Sequence, residues 1–431
     1  MQSKVLMSHL SIEQRRQFES LDRELLEEHQ LARVNNLLST IRPQNKFYAT
    51  KLVDCPQQLE SLEQLTELPM TTKEELVGEN GNPTNVTWPL DRYVRYHQTS
   101  GTRGRPLTVL DTSEDWQWWV DCWQYVLDAA QVTESDRAML AFSFGPFIGF
   151  WSAHDALVDR GTLAIPGGGM STLGRLEMMQ RTGATVLFCT PTYALHLGEV
   201  AKQNGFDLAA DLQIRKIVVA GEPGGSIPAT CARIEAAWGA QVTDHSGASE
   251  VGPWGFGDTR GTGLHVLESE FVAEFISVET GKSAAEGELA QLVLTPLGRS
   301  GMPVIRYQTG DLVRPYWPTE GENRFVLLSG GVLGRTDDMF VVRGVNIFPS
   351  SIEEILHSFP EVAEYRFTIG KRGELDEMLL EVEDLLQQPS RIAEALNLRL
   401  GLRVEVQQAE PQSLPRYEGK GRRFIDERKS D

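Results

Sequence analysis

The chain is 431 residues long, 41% hydrophobic and 23% charged, which is typical of a globular protein and predicts two or three domains. Its formal net charge of −19 argues against a nucleic acid or an anionic membrane as a partner. The longest apolar run is too short to span a bilayer, a signal-type segment is lacking, and the four cysteines have no metal-like spacing, so we expect a cytoplasmic protein.

The first part of the chain is predicted to be helical. Residues 11–40 and 59–77 carry apolar side chains at three-to-four spacing. An amphipathic helix is predicted over residues 113–130, after a short strand. The tryptophans on one face of this helix are predicted to pack in the core rather than to bind a ligand, and they are Trp116, Trp119 and Trp123.

From residue 138 to residue 295, short β-type runs alternate with helical stretches. This alternation is typical of βαβ units and predicts a largely parallel sheet. The predicted strands are 138–142, 162–165, 185–189, 216–220 and 241–243, and the predicted helices are 150–160, 172–182, 191–204 and 227–238. The runs 288–296 and 304–307 predict a β-rich subdomain.

Past residue 337, strands and helices restart as a separate α+β unit. Strands are predicted at 339–343, 364–369, 378–382 and 404–407, with helices at 350–358 and 390–400. We therefore expect an α/β fold. Its parts are a large N-terminal domain of mainly parallel sheets with a β-rich subdomain (1–334), a hinge (335–338), and a small mobile α+β C-terminal domain (339–431).

A loop rich in serine, threonine and glycine occupies residues 99–106 and carries Arg103 and Arg105. Its glycines let backbone N–H groups approach an anion, while its hydroxyls and cations add donors and positive charge, so the loop is suited to a polyphosphate. It is not a Walker loop, because no Gly-Lys-Ser/Thr follows the glycines. Taken alone, such a loop more often forms a surface turn than a nucleotide site.

Three charged positions complete the set of candidates. Glu250 follows the predicted strand 241–243, where open α/β sheets place their ligands, and can hold a divalent cation that bridges phosphates. Asp311 follows a Thr-Gly pair that predicts a turn, and it can accept hydrogen bonds from ribose hydroxyls. Lys420 lies in a Gly-containing loop. Each of the three is alternatively a solvated side chain.

These blocks occur in a recognisable order over nearly the whole chain. They resemble the phenylacetate–CoA ligase branch of the adenylate-forming acyl-CoA synthetase superfamily. The residues that carry the resemblance are 68–76, 99–106, 190–195, 221–223, 244–250, 306–312, 334–339, 343–354 and 414–420.

The resemblance implies that ATP activates a carboxylic acid to an acyl-AMP with release of pyrophosphate, and that the acyl group then passes to CoA. The implied catalytic residues are Lys420, Glu250 and Arg335, with Glu250 as the Mg²⁺ ligand and Asp337 as the hinge. The implied nucleotide-binding residues are Thr99, Ser100, Gly101, Thr102, Arg103, Gly104, Arg105, Gly221, Glu222, Pro223, Ser246, Gly247, Ser249 and Asp311.

The chain departs from the family pattern in two places. Ser246 stands where relatives usually have an aromatic residue that stacks on adenine. Many relatives also hold a structural zinc ion, for which this chain keeps His265 but lacks the accompanying cysteines. A structural zinc site takes about four ligands, so we expect no zinc.

The acid is expected to bind against the aromatic and glycine-rich segment 142–151. Aromatic walls with small glycine floors suit a flat aryl or arylacetic acid, although about half of these rings are expected to be ordinary core. His154 is interpreted as a packed histidine. The predicted acid contacts are Phe144, Phe147, Gly149, Trp151 and Gly168.

The sequence is also compatible with two other functions. The chain can be an adenylating enzyme that transfers the acyl group to a carrier protein or an amine, or a catalytically degenerate nucleotide-binding protein. The presence of Glu250, Asp311, Asp337 and Lys420 together argues against degeneracy. The branch that the chain resembles also implies a homodimer.

Overall fold

The computed structural model describes most of the chain, namely residues 10–78, 81–99, 106–149, 151–336, 340–342, 345–347, 349–372, 375–400, 402–415 and 423–429. Several predicted site residues lie outside the described residues. They are Ser100, Gly101, Thr102, Arg103, Gly104, Arg105, Asp337 and Lys420.

Residues 11–40 are helical, as predicted, whereas the predicted helical stretch 59–77 contains only a 3₁₀ turn and one short helix. The first helical pattern is divided into α1 (Ile12–Glu19) and α2 (Arg23–Ile41), because Ser20 ends the first helix. They are followed by α3 (Lys46–Lys51), a 3₁₀ turn (Leu62–Glu67) and α4 (Lys73–Leu76). Thr72 and Glu75 form a capping box at the start of α4, and this fixes the position of the neighbouring Lys73.

An antiparallel hairpin leads into the long tryptophan-rich helix. Its strands are β1 (Tyr93–Gln98) and β2 (Thr108–Thr112), and the helix is α5 (Ser113–Ala129). The side chain of Thr112 caps α5 by accepting from the N–H of Asp115. Trp116, Trp119 and Trp123 are all buried in the main core, which confirms the prediction for this face.

A large mixed sheet forms the centre of the molecule. Its parallel half has the order β7-β6-β5-β3-β4. Its antiparallel half continues from β7 through β8, β9 and β14 (Leu327–Ser329) to β13 (Pro315–Tyr316). The α/β prediction for this region is confirmed. The elements are β3 (Arg137–Leu140), α6 (Trp151–Arg160), β4 (Leu163–Pro166), α7 (Thr172–Thr182), β5 (Val186–Cys189), α8 (Pro191–Gln203), α9 (Leu208–Asp211), β6 (Lys216–Val219), α10 (Pro228–Trp238), β7 (Gln241–Ala248), β8 (Gly252–Gly257) and β9 (Gly263–Val266).

Helices cover both faces of the parallel half. Leu140 and Phe188 lie in the core that α5 and α6 cover. The adjacent Met139 and Leu187 point the other way, into the core formed with α7, α8 and α10. Side chains that alternate between two covered faces explain why these short strands have nearly continuous apolar sequences.

The β-rich subdomain forms a second sheet of order β10-β11-β12-β15. The predicted strand 304–307 is wrong, because only Tyr307 belongs to a strand. Asp311 lies inside β12 rather than in a free turn, at a bulge where Gly310 has φ +78°. The elements are β10 (Phe271–Ser277), β11 (Ala290–Pro296), β12 (Tyr307–Val313), β13 (Pro315–Tyr316), β14 (Leu327–Ser329) and β15 (Gly334–Arg335).

The C-terminal α+β unit has its own apolar core, in which Phe367, Leu380 and Ile392 are buried. Its main sheet has the order β20-β19-β18-β21, and α11 lies against α10 of the large domain. The strands β17 and β21 were not predicted. The elements are β16 (Phe340–Val342), β17 (Val345–Ile347), α11 (Pro349–His357), β18 (Val362–Arg372), β19 (Leu375–Asp384), α12 (Pro389–Leu400), β20 (Glu405–Gln408) and β21 (Phe424–Asp426). Within the described ranges, no helix combines the length and the apolar character needed to cross a bilayer.

Candidate active site

The carboxyl ends of β6 and β7 bring several predicted residues to one edge of the sheet. The two strands are parallel and pair from Lys216 and Gln241 to Val219 and Asp244. The loop with Gly221, Glu222 and Pro223 follows β6, and the segment 246–250 follows the parallel part of β7. In open α/β sheets this edge is where ligands bind.

The loop predicted to contact adenine is held by hydrogen bonds to its neighbours. Glu222 accepts from the backbone N–H of Thr192 at 2.8 Å and from the hydroxyl of Thr192 at 2.5 Å. These bonds tie the loop to the first turn of α8. Gly221 has φ +92°, a conformation that suits glycine and lets the chain turn sharply after β6.

Asp244 fixes the other end of the same loop. Its carboxylate accepts from the Ser226 hydroxyl at 2.6 Å and from the His245 N–H at 3.0 Å. A Cβ on Gly225 would lie 2.5 Å from Asp244 Oδ1, so only glycine fits there. Burial raises the pKa of Asp244 to about 7.

Glu250 lies in the turn between β7 and β8 and is buried. Its Oε1 is 2.8 Å from Lys73 Nζ, and it shares a hydrogen bond with Tyr307. Burial raises the pKa of Tyr307, and the adjacent Glu250 carboxylate adds to the rise, so the phenol stays protonated and can donate. Lys73 had no predicted role beyond its place in the block 68–76, and the fold brings it here from the distant helix α4.

Arg299 holds the backbone of the turn that carries Glu250. It was not identified as a site residue from the sequence. Its side chain is 1% exposed, and Nη1 donates to the carbonyls of Ser249 at 3.1 Å and Glu250 at 2.8 Å. Nε donates to Asp111 at 2.8 Å, and the guanidinium lies 5.7 Å from the ring centre of Trp119. A single basic residue in the loop after β11 gives no sequence signal for this role.

Asp311 and Arg335 are neighbours across β12 and β15. They face each other in the ladder, and Arg335 Nη1 donates to Asp311 Oδ1 at 3.1 Å. The sequence prediction placed Arg335 near Asp311, and the structure brings the two together. The Arg335 side chain is 45% exposed and the Asp311 side chain 15% exposed.

The base of the predicted phosphate loop is described up to Thr99. The hydroxyl of Thr99 accepts from Leu107 N–H at 3.0 Å, and its own N–H donates to the Leu107 carbonyl, also at 3.0 Å. Gln98 N–H donates to the Pro146 carbonyl at 2.8 Å. This last bond joins the start of the loop to the segment predicted to bind the acid.

The predicted acid contacts fall into two groups. Phe144 packs edge-to-face on Trp151 at 4.8 Å, and a Cβ on Gly168 would lie 2.9 Å from the Phe144 ring. Gly168 therefore makes room for Phe144 itself. Phe147 is 43% exposed and Gly149 is also exposed, so these two lie at the rim of the segment.

The arrangement fits a magnesium ion that arrives with a nucleotide. Mg²⁺ commonly binds one or two carboxylates together with phosphate oxygens and water. Among the residues that the structure describes, no three His, Cys, Asp or Glu side chains cluster as a metal site. The role of Glu250 as a magnesium ligand stays a prediction. His265 pairs its Nδ1 with the Phe325 carbonyl at 2.9 Å, and the absence of structural zinc stays a prediction.

Comparison with known proteins defines the family. Residues 344–428 match the AMP-binding enzyme C-terminal domain. Over 387 residues, the chain is 31% identical to the phenylacetate-coenzyme A ligase of Escherichia coli (strain K12), covering 86% of this chain and 87% of the relative. This chain belongs to the phenylacetate–CoA ligase family. An α/β ligase fold with a C-terminal domain is thereby confirmed, as is the resemblance drawn from the motifs.

Solved structures place this family member among adenylate-forming ligases. A 2-hydroxyisobutyryl-CoA ligase in the postadenylation state, with 2-HIB-AMP, is 25% identical over 96% of this chain and 92% of that chain, with a TM-score of 0.89. The same ligase in the thioesterification state, with 2-HIB-AMP and CoA, is 26% identical over 97% and 93% of the two chains, with a TM-score of 0.73. The arrangement of this chain is thus more similar to the postadenylation state.

Proposed function

We propose that this phenylacetate–CoA ligase family member activates a carboxylic acid with ATP and transfers the acyl group to CoA. The observation that carries the proposal is the placement of the Glu222 loop and of the segment with Glu250 after β6 and β7, at one edge of the central sheet. The Asp311–Arg335 pair lies in the second sheet, on the strand whose Tyr307 bonds Glu250. Family membership supplies the reaction class, an AMP-forming acid–thiol ligase.

In the first half-reaction, a carboxylate oxygen attacks the α-phosphate of ATP and the bond to the pyrophosphate leaving group breaks. The loop 99–105 would bind the β- and γ-phosphates, and Glu250 would bind the Mg²⁺ that offsets their charge. Gly221, Glu222 and Pro223 would line the adenine site, with Ser246, Gly247 and Ser249 alongside. Asp311 would accept hydrogen bonds from the ribose, positioned by Arg335.

Lys420 would stabilise the charge that develops on the reacting oxygens. In the second half-reaction, the CoA thiol loses its proton, its sulfur attacks the acyl carbon and AMP leaves with the bonding electrons. The division into residues 1–334, a hinge at 335–338 with Asp337, and residues 339–431 belongs to this proposal, because the small domain must move between the two reactions.

The acid is proposed to be an aryl or arylacetic acid. The Phe144–Trp151 pair offers an aromatic wall beside the strand that leads into the phosphate loop. Phe147 and Gly149 would contact the acid from the rim. A cytoplasmic location, expected from the apolar runs and the cysteine spacing, and a homodimer, expected from the family, are part of the same proposal.

Acid-dependent exchange of labelled pyrophosphate into ATP tests the proposal. We expect exchange with at least one aryl acid, and AMP release that CoA stimulates. Exchange without stimulation by CoA would instead favour a carrier protein or an amine as the acceptor. Absence of exchange with aryl and aliphatic acids alike would contradict the proposal.

The Lys420→Ala variant separates the half-reactions. Loss of one charge-stabilising donor should slow adenylation by about 10²- to 10³-fold. Thioester formation from a supplied acyl-AMP should fall much less. An equal loss in both half-reactions would contradict the role assigned to Lys420.

A further inference from the structure

His245 is a buried histidine, and of its two ring nitrogens Nδ1 forms a hydrogen bond within the described residues. Its Nδ1 lies 2.7 Å from the Gly255 carbonyl. A carbonyl oxygen only accepts, so Nδ1 carries the proton. Burial lowers the pKa of His245 to about 4, so the ring is neutral at pH 7 and Nε2 is an acceptor without a proton.

Nε2 of His245 has no hydrogen-bond partner among the described residues. It points toward Gly247, where a Cβ would lie 3.4 Å from it. The ring of Trp123 lies 4.1 Å away and fixes the imidazole plane. The absence of a side chain at Gly247 thus leaves space beside this acceptor, and a ligand that donates to it adds a hydrogen bond.

The direction of His245 separates it from the adenine side of the site. His245 and Ser246 pair in regular register with Phe256 and Gly255, so their side chains point to opposite faces of β7. The position of a Cβ on Gly247 lies near His245 Nε2, on the His245 side. Ser246 occupies the position at which relatives stack an aromatic ring on adenine. His245 therefore faces away from the proposed adenine site.

The face that carries His245 is also the face that carries the acid segment. Phe144 and Trp151 pack against the core that contains Trp123. Trp123 Nε1 donates to the Ser152 hydroxyl at 2.7 Å, beside Trp151 at the start of α6. His245 and the Phe144–Trp151 pair thus lie on the same side of the central sheet, around Trp123.

We propose that Nε2 of His245 selects acids whose acyl part carries a hydroxyl or N–H donor. The inference rests on the proposed function, because it names the substrate class of the same site. A site built to hydrogen-bond a substrate hydroxyl discriminates strongly against the analogue that lacks it. The acid is then a hydroxylated or amino-substituted acid rather than the unsubstituted one.

Matched acids test the inference on the wild-type enzyme. The three ring-hydroxylated phenylacetates are compared with the three ring-fluorinated ones, and 2-hydroxyisobutyrate is compared with pivalate. The readout is kcat/KM for acid-dependent pyrophosphate release. We expect one hydroxy acid to exceed its donor-free partner by about tenfold or more.

Two variants assign the preference to His245. In His245→Leu, the ratio of kcat/KM between the hydroxy acid and its donor-free partner should fall below about twofold. His245→Gln should keep part of the preference, because the glutamine amide oxygen also accepts a hydrogen bond. His265→Leu is the matched control, since His265 is also buried and bonds a backbone carbonyl through Nδ1. This control should keep the full preference.

The outcomes distinguish the two levels of the proposal. Acid-dependent pyrophosphate release with equal kcat/KM for hydroxy acids and their donor-free partners would overturn the inference and leave the proposed function standing. A preference that persists in His245→Leu would also overturn it. If no acid supports exchange, the proposed function is overturned and the inference with it.

Discussion

At the scale of residues, the site depends on contacts between residues that are far apart in the sequence. Sequence motifs do not reveal such contacts. Glu250 and Asp311 were singled out because their motifs are local in sequence. Lys73 and Arg299 were not assigned roles, since each reaches Glu250 from a separate part of the chain. A basic residue in a loop carries no sign of the carbonyls that it will meet after folding.

Arg299→Lys tests the support of Glu250. A lysine cannot bond two carbonyls and Asp111 with the same geometry, so the turn at Ser249 and Glu250 should shift. We expect kcat/KM for ATP to fall by about 10- to 100-fold. Steady-state kinetics with saturating acid measure the change.

Arg15→Lys is the matched control for Arg299→Lys. Arg15 also forms a buried ion pair, with Asp128 at 2.6 Å, but it lies on α1 away from the site. Both variants should lower the denaturation midpoint, and only Arg299→Lys should change the kinetics. Equal kinetic effects would assign Arg299 a purely structural role.

Glu250→Gln tests the proposed magnesium ligand. The amide is a weaker ligand than the carboxylate, so the Mg²⁺ concentration for half-maximal exchange should rise by at least about tenfold. Glu268→Gln is the control, because Glu268 is likewise buried and paired, with Arg23 at 2.6 Å. An unchanged Mg²⁺ requirement in Glu250→Gln would contradict the assignment.

At the scale of elements, β7 links the two halves of the site. The alternation of apolar runs predicted the parallel strands and their helices, because burial on both faces leaves a clear sequence pattern. The extension of β7 to Ala248 was not predicted, since its sequence after Thr243 is polar and rich in glycine. The bulge at Asp311 was likewise taken for a turn, because a Thr-Gly pair occurs in both.

Asp244 gives β7 a pH dependence that Asp244→Asn should remove. Its pKa is raised to about 7 by burial, above the ordinary value of 3.8, so between these values the folded state binds more protons than the unfolded state. The contribution of Asp244 to stability therefore falls as the pH rises through this range. We expect the urea midpoint of Asp244→Asn, relative to the wild type, to be higher at pH 8 than at pH 5. A difference that does not change with pH would contradict the raised pKa.

At the scale of the whole molecule, this chain can be compared with two solved states of a related ligase. The chain is more similar to the postadenylation state, with a TM-score of 0.89, than to the thioesterification state, with 0.73. The strand and helix pattern past residue 337 predicted the α+β class of the C-terminal unit. It could not predict how that unit sits on the large domain, because contacts such as those between α10 and α11 join separate parts of the chain.

Asp337→Pro tests the proposed hinge. Proline fixes φ near −65° and should restrict rotation at this position. We expect acid-dependent exchange to persist while thioester formation from a supplied acyl-AMP falls sharply. Equal retention of both half-reactions would place the hinge elsewhere.

Transfer of oxygen-18 from the acid to AMP tests whether the enzyme activates the acid as an acyl-AMP. The acid is labelled in its carboxylate and incubated with the wild-type enzyme, ATP, Mg²⁺ and CoA, and the products are analysed by mass spectrometry. We expect one labelled oxygen in each AMP, together with unlabelled pyrophosphate and an acyl-CoA. Label in inorganic phosphate with formation of ADP, or AMP without label, would contradict activation as an acyl-AMP.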